Sequence, residues 1–164
     1  MPIIGNGDIA SALEDRDDRL YFASGVSNSQ ETDEAEYRRE VDLLLEQPRN
    51  EHIVYFSSLA VVDGVSRYLR HKRHQEWLVK QEFEPYTIVR LGNIDWGDNP
   101  HTLINYLRAH PDAEIQDVYR YIVDMDEFQY WVNLIPDWSC ELSIVGRRMK
   151  VAEIVKEYAR RNHD

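Results

Sequence analysis

Hydrophobic and polar positions follow two different periods along this chain, and the switches between them mark out its elements. Short apolar runs at Ile3-Ile4, Leu20-Tyr21-Phe22-Ala23, Ile53-Val54-Tyr55-Phe56, Tyr86 to Leu91, Val118 to Val123 and Glu141 to Val145 predict strands. Between them the period lengthens. Tyr37, Val41, Leu44 and Leu45 recur at helical spacing and predict a helix over 31–47, broken by Pro48-Arg49-Asn50. A second helix over 66–81 sets Tyr68, Lys72 and Glu76 on one face, because residues four apart lie one above the other. Shorter helices are predicted from Asp8 to Leu13, from Asp98-Asn99-Pro100 through Leu103, Ile104 and Leu107, and around Phe128, Trp131 and Val132. The last of these can be capped by Asp124 or Asp126. After a turn at Gly146, an amphipathic helix over 151–161 closes the chain.

The order strand, helix, strand from Ile53 to Gly97 is a right-handed crossover unit of a parallel sheet. Such sheets place chemistry at the carboxyl ends of their strands. Here those ends carry Ser57, Ser58 and Asn93, with Tyr68 and Lys72 on the helix between them. The pattern predicts one α/β domain over 1–164, Rossmann-like, with no internal repeat and no low-complexity linker.

Composition narrows the partners more than the fold. At 164 residues the chain is long enough for one core and too short for two ordinary domains. Thirty acidic against nineteen basic side chains give a net charge of -11, which argues against nucleic acid or an anionic membrane as a partner. An anionic small ligand responds to local field and stays open. The single cysteine, Cys140, has no partner for an internal disulfide and no nucleophile motif around it. His71 and His74 lack further ligands at useful spacing, so they read as solvated and no metal site is expected. No basic leader and no apolar run of about 20 residues is visible, which gives a cytoplasmic expectation.

One motif carries specific chemistry. Gly5-Asn6-Gly7-Asp8-Ile9-Ala10 fits G-x-G-x-x-A. In that pattern the first glycine turns out of a strand, the second lets backbone approach a pyrophosphate, and the small third residue lets the helix pack against the sheet. The segment after the motif is abbreviated. The acidic run Glu14-Asp15-Arg16-Asp17-Asp18 stops the helix at once, and the next strand is already at Leu20. That run reads as a solvated turn, with Asp15 to Asp18 also placed where a ribose ligand would be needed.

Taken in order, these pieces resemble the extended short-chain dehydrogenase/reductase family, the NAD-dependent epimerase/dehydratases of sugar-nucleotide metabolism. The resemblance covers nearly the whole chain. It rests on Gly5-x-Gly7-x-x-Ala10, Ala23-Ser24-Gly25, Val54-Tyr55-Phe56-Ser57-Ser58, Tyr68-x-x-x-Lys72, Arg90-Leu91-Gly92-Asn93-Ile94-x-x-Gly97, Tyr121-Ile122-Val123-Asp124 and the Ile144-Val145-Gly146 turn before Glu153-Ile154. It implies NAD or NADP as cofactor, held by Gly5, Asn6, Gly7, Asp8, Ile9, Ala23, Ser24, Gly25, Lys72 and Leu91. It implies Tyr68 as acid/base, Lys72 as the ammonium that favours phenolate and bonds the nicotinamide ribose, and Ser58 as the carbonyl-polarising hydroxyl. Ser58 and Asn93 would touch a sugar nucleotide or a similar small substrate. A free tyrosine ionises near pH 10, roughly three units too high for a base near neutrality, so the lysine is chemically necessary to that scheme.

The chain also departs from the family. The second and third strands are missing, so the adenosine pocket is absent or rebuilt and NAD is not distinguished from NADP. Counting back from Asp63-Gly64 puts Leu59 where the family serine stands, one past Ser58. The substrate portion, around 98–140, is much reduced. Losing two strands turns the first strand into a sheet edge, and a homodimer is expected, either covering that edge or pairing helices 31–47 and 66–81 as the resemblance implies. A catalytically inactive remnant serving as a binding or assembly subunit is the alternative, and an unrelated mononucleotide-binding α/β domain is a third.

Overall fold

The computed structural model describes residues 3–160. In chain order the elements are β1 (Ile3–Ile4), α1 (Asp8–Ser11), β2 (Leu20–Phe22), α2 (Glu34–Leu45), β3 (Ile53–Ser58), α3 (Arg67–Glu82), β4 (Tyr86–Leu91) and β5 (Asn93–Ile94). They continue with α4 (Leu103–Ala109), β6 (Tyr119–Val123), α5 (Met125–Asn133), β7 (Cys140–Ile144), β8 (Arg147–Lys150) and α6 (Val151–Ile154). A 3₁₀ turn over Leu59–Val62 follows β3, and a π turn over Val155–Ala159 prolongs α6.

Five strands form a parallel sheet in the order β1-β2-β3-β4-β7. The register sets Ile3 beside Tyr21, Tyr21 beside Val54 and Val54 beside Thr87, and β4 runs beside β7 from Thr87–Cys140 to Leu91–Ile144. Side chains alternate across β3, so Val54 and Phe56 join one core while Ile53 and Tyr55 join the other. The first core packs Ala12 of the α1 turn and Phe128 and Val132 of α5 on the sheet, and the second packs Leu44 of α2 with Leu78 and Val79 of α3. The result is an α/β doubly wound, Rossmann-like parallel sheet with helices on both faces. β1 is an edge strand, paired with β2 alone, as expected from the two missing strands.

A smaller sheet, β5-β6-β8, sits beyond the carboxyl end of β4, with β5 and β6 parallel and β6 and β8 antiparallel. Its core is Ile104 and Leu107 of α4 with Ile122, Met149, Val151 and Ile154.

Several local expectations are corrected. α1 ends at Ser11, and α2 begins at Glu34 because Asp33 caps it by accepting from Ala35 N–H. α4 begins at Leu103 under a Thr102 cap, leaving 98–101 as loop. Asp124, not Asp126, caps α5, and Trp131 on that helix is 46% exposed. The closing helix is a single α turn and a π turn, and Arg161, its expected last residue, lies outside the described residues. Among the described residues no helix is long and apolar enough to cross a membrane, and no cluster of three His, Cys, Asp or Glu has metal-binding geometry.

Candidate functional site at the strand ends

The carboxyl ends of β1, β2, β3 and β4 meet along one edge of the sheet, and the order of strands brings the separated motifs together there. Gly5 makes the turn out of β1 with φ +124°, and a Cβ there would stand 2.4 Å from the Ala23 carbonyl oxygen. Only glycine fits. Ala23 N–H in turn donates to the Ile4 carbonyl at 2.7 Å, so the loops after β1 and β2 are tied together. Gly7 precedes α1, and a Cβ added to it would meet nothing within 4 Å; Gly5, Asn6 and Gly7 are all exposed. The turn is therefore open to solvent on its outer face.

Asp8 serves the fold in a way the motif did not announce. Its carboxylate accepts from the backbone N–H groups of Asp98 and Asn99 at 3.2 and 3.0 Å, and its carbonyl accepts from the Trp96 indole at 2.9 Å. Gly97, at φ +91°, has no side chain because a Cβ would sit on that carboxylate. This clamp joins the glycine turn to the loop after β5.

Tyr68 and Lys72 lie one turn apart on α3, with the Lys72 ammonium 5.6 Å from the Tyr68 ring centroid. Their environments differ. Tyr68 is half-buried, whereas Lys72 is only 3% exposed. The lysine hydrogen-bonds Glu40 Oε1 and the Tyr55 hydroxyl, both at 3.2 Å. Burial pushes Lys72 down, but Glu40 and Tyr68 outweigh that and hold it above its ordinary value, as a charged ammonium. Burial pushes Glu40 up, and Lys72, His71 and Tyr55 together reverse that, leaving a carboxylate well below the usual range. For Tyr55, burial and the adjoining Glu40 carboxylate act in the same direction and keep its phenol neutral far above the ordinary value.

The histidine expectation is corrected in part. His74 is exposed, but His71 is 3% exposed. Its ring lies against Tyr37 with centroids 4.6 Å apart, and its Nε2 is 3.3 Å from Glu40 Oε1 without hydrogen-bond alignment. The Lys72 surroundings thus include three groups assigned no site role from the sequence: Glu40, Tyr55 and His71. Glu40 left a trace in the sequence, a carboxylate set among Tyr37, Val41 and Leu44 on the apolar stripe of α2.

The remaining candidates are spread along the same edge. Ser24 accepts from Arg39 through its carbonyl at 3.1 Å, and Gly25 lies over the Glu40–Lys72 pair. Ser58 shares the strand face of Val54 and Phe56, opposite to Tyr55, and its hydroxyl accepts from Ala60 N–H as the cap of the 3₁₀ turn. Ser57, on the Tyr55 face, donates to Glu76 at 2.6 Å. Among the described residues neither serine hydroxyl hydrogen-bonds Tyr68. Leu91 is buried at the end of β4, and Asn93 donates its amide to the Tyr121 carbonyl at 3.2 Å, bridging to β6. In the acidic run, Asp18 is engaged by Arg16 at 2.8 Å and by Arg19 at 3.1 Å. Two shallow surface hollows lie elsewhere, around Ala12 to Glu14 with Gln129, and around Leu107 with Val155. Neither hollow is lined by Tyr68 or Lys72.

No family model and no curated protein matches the chain. Solved structures do match its fold. UDP-galactose 4-epimerase superposes with a TM-score of 0.57 at 14% identity, over 85% of this chain and 60% of that one. The Bordetella bronchiseptica enzyme WbmG in complex with NAD gives 0.56 at 13%, over 84% and 55%. UDP-N-acetylglucosamine 4-epimerase from Bacillus cereus gives 0.55 at 14%, over 84% and 61%. The chain has the Rossmann-like fold of the NAD-dependent epimerase/dehydratase structures. It spans about 55 to 61% of the length of these three.

Proposed function

We propose that this chain binds NAD or NADP at the strand ends and acts as an oxidoreductase or epimerase on a sugar nucleotide or a similar carbonyl/hydroxyl compound. The single observation that carries the reading is the placement of Tyr68 and Lys72. The two residues stand one helical turn apart on α3, and the Lys72 ammonium reaches the Ala23–Gly25 loop after β2, where a Cβ on Gly25 would meet it. The structures of like fold add support through WbmG, solved with NAD, and through two enzymes named for UDP-sugar epimerisation.

The residues present fit a dinucleotide in its pyrophosphate half. Gly5 adopts the left-handed conformation the turn needs, and the open face of Gly7 leaves room for phosphate to reach backbone. Bound there, the nicotinamide would supply or accept hydride. Gly5, Asn6, Gly7, Asp8 and Ile9 would form its cradle, Ala23, Ser24 and Gly25 one wall, and Leu91 the other. Tyr68, half-buried, would give or take the proton of a substrate hydroxyl. Lys72 would keep positive charge beside it. Asn93 and Ser58 are the substrate contacts of this reading, with the small second sheet and the 98–140 segment as its reduced substrate portion.

The test is conversion of UDP-hexoses and UDP-N-acetylhexosamines in the presence of NAD, followed by chromatography of the sugar nucleotides, for wild type and Tyr68→Phe. Turnover in the wild type that falls at least 100-fold in Tyr68→Phe, with cofactor binding retained, is the expected result. Cofactor binding with no conversion of any substrate class would instead favour a binding or assembly subunit.

A further inference from the structure

Glu40 is a carboxylate with no exposed surface in the middle of α2. A helix packing on a sheet has no need of a charge there, and apolar groups of similar size often replace buried ion pairs without loss of stability. Yet contacts to it arrive from three other elements. Val26 N–H donates to Oε1 at 2.6 Å from the loop after β2, and the Tyr55 hydroxyl donates to Oε2 at 2.6 Å from β3. From α3, Gln75 donates to Oε2 at 2.6 Å and Lys72 to Oε1 at 3.2 Å. Gly25 closes over the group: a Cβ there would lie 2.5 Å from Lys72 Nζ and 3.0 Å from Glu40 Oε1. Among the described residues the Lys72 ammonium has two acceptors, Glu40 and Tyr55, for its three donors.

We propose that Glu40 is the positioning residue of the strand-end site, fixing the Lys72 ammonium, the Tyr55 hydroxyl and the Gly25–Val26 turn against one another as one unit. What that unit serves rests on the function proposed above. The internal geometry does not. Glu40 leaves one lysine N–H for a ligand hydroxyl, and it sets the loop that would wall the nicotinamide side. It also explains why glycine stands at 25.

The groups facing the lysine are Glu40 and Arg39 from α2, Tyr55 from β3, Tyr68 from its own helix and the Gly25 turn. Removing the Glu40 charge leaves an ammonium buried with only neutral acceptors, so its proton should be lost more readily. The chain has four lysines, 72, 80, 150 and 156, which makes Lys72 resolvable by NMR of ¹³Cε-labelled lysine, assigned with Lys72→Arg. In Glu40→Gln we expect the Lys72 signal to titrate at least about one pH unit lower than in wild type. The Val26 amide should exchange with solvent roughly tenfold faster, because its acceptor has lost its charge. NADH should bind at least about fivefold more weakly at a temperature where both proteins are folded. Gly25→Ala should reproduce the Val26 and Lys72 changes, and it supplies the answer should Glu40→Gln not fold.

Unchanged Lys72 titration and Val26 exchange in both variants would overturn the proposal. Unchanged NADH affinity in a Glu40→Gln protein that otherwise shows the shifts would also overturn it, by reducing the pair to a structural one. A wild type that binds neither nicotinamide cofactor would remove the functional reading, and the lysine and amide measurements would still decide whether Glu40 holds Lys72.

Discussion

The two glycines of the β1 turn look alike in sequence and are opposite in structure. Gly5 is held at φ +124° against the Ala23 carbonyl, while Gly7 has ordinary extended backbone and empty space beyond it. Gly5→Ala should therefore cost on the order of 1–3 kcal/mol from backbone strain alone, before the clash is counted. Gly7→Ala should stay within roughly 0.5 kcal/mol of wild type in denaturant melts and should weaken NADH binding, since its methyl group enters the phosphate space. Equal stability losses in the two variants would contradict this division. His52 supplies a pH dependence. Its Nε2 lies 2.7 Å from the Thr87 hydroxyl, and burial pushes its pKa below the ordinary value. Unfolded, the same side chain binds a proton near pH 6.5, so stability should fall as pH drops from about 7 through that range. Thermal melts between pH 8 and 5 should show the slope, and His52→Gln should flatten it. At this scale the sequence was legible where one conformation admits one residue type, as at Gly5. It was not legible for Lys72, because the partner that decides its state, Glu40, lies 32 residues away.

Helices and strands differ in how plainly they were written. β3 and β4 stand out as apolar runs because the cores cover both of their faces, whereas α3 buries His71, Lys72, Gln75 and Glu76 beside Leu78 and Val79, so its buried face is not an apolar stripe. β5 and β8 have no such run. Two residues are too few to show one, and Arg147-Arg148-Met149-Lys150 is a strand only because β6 supplies its partners. Alternation along β3 puts Ser58 on the face opposite Tyr55, where its hydroxyl caps the 3₁₀ turn. β1 is where the missing strands have their consequence. With one neighbour, it leaves a ladder edge of N–H and C=O groups open to pairing. A homodimer is the expected state, formed over that edge or through α2 and α3. Light scattering showing a strict monomer at micromolar concentration would reject it.

Across the whole molecule, one buried charge cluster ties the two helices of one sheet face to the strand ends. Breaking it by Lys72→Met alone leaves Glu40 charged and buried, and should destabilise the fold by about 3–5 kcal/mol. The paired Glu40→Gln/Lys72→Met protein should recover much of that loss in chemical denaturation, and recovery of none would mean that the two residues are not coupled. The architecture itself was readable from the order of motifs. Its smaller sheet was not, since that sheet is assembled from β5, β6 and β8, segments more than 20 residues apart in the chain.

The central claim is that the open turn at Gly5–Gly7 and the covered lysine at 72 belong to one cofactor site. Titration of the purified chain with NADH and with NADPH tests it most directly, read by nicotinamide fluorescence and by thermal shift. Saturable binding of at least one of them is predicted, with a stabilisation of about 2.7 kcal/mol when the ligand stands 100-fold above its Kd. No change in fluorescence or melting temperature with either cofactor at millimolar concentration would contradict the account.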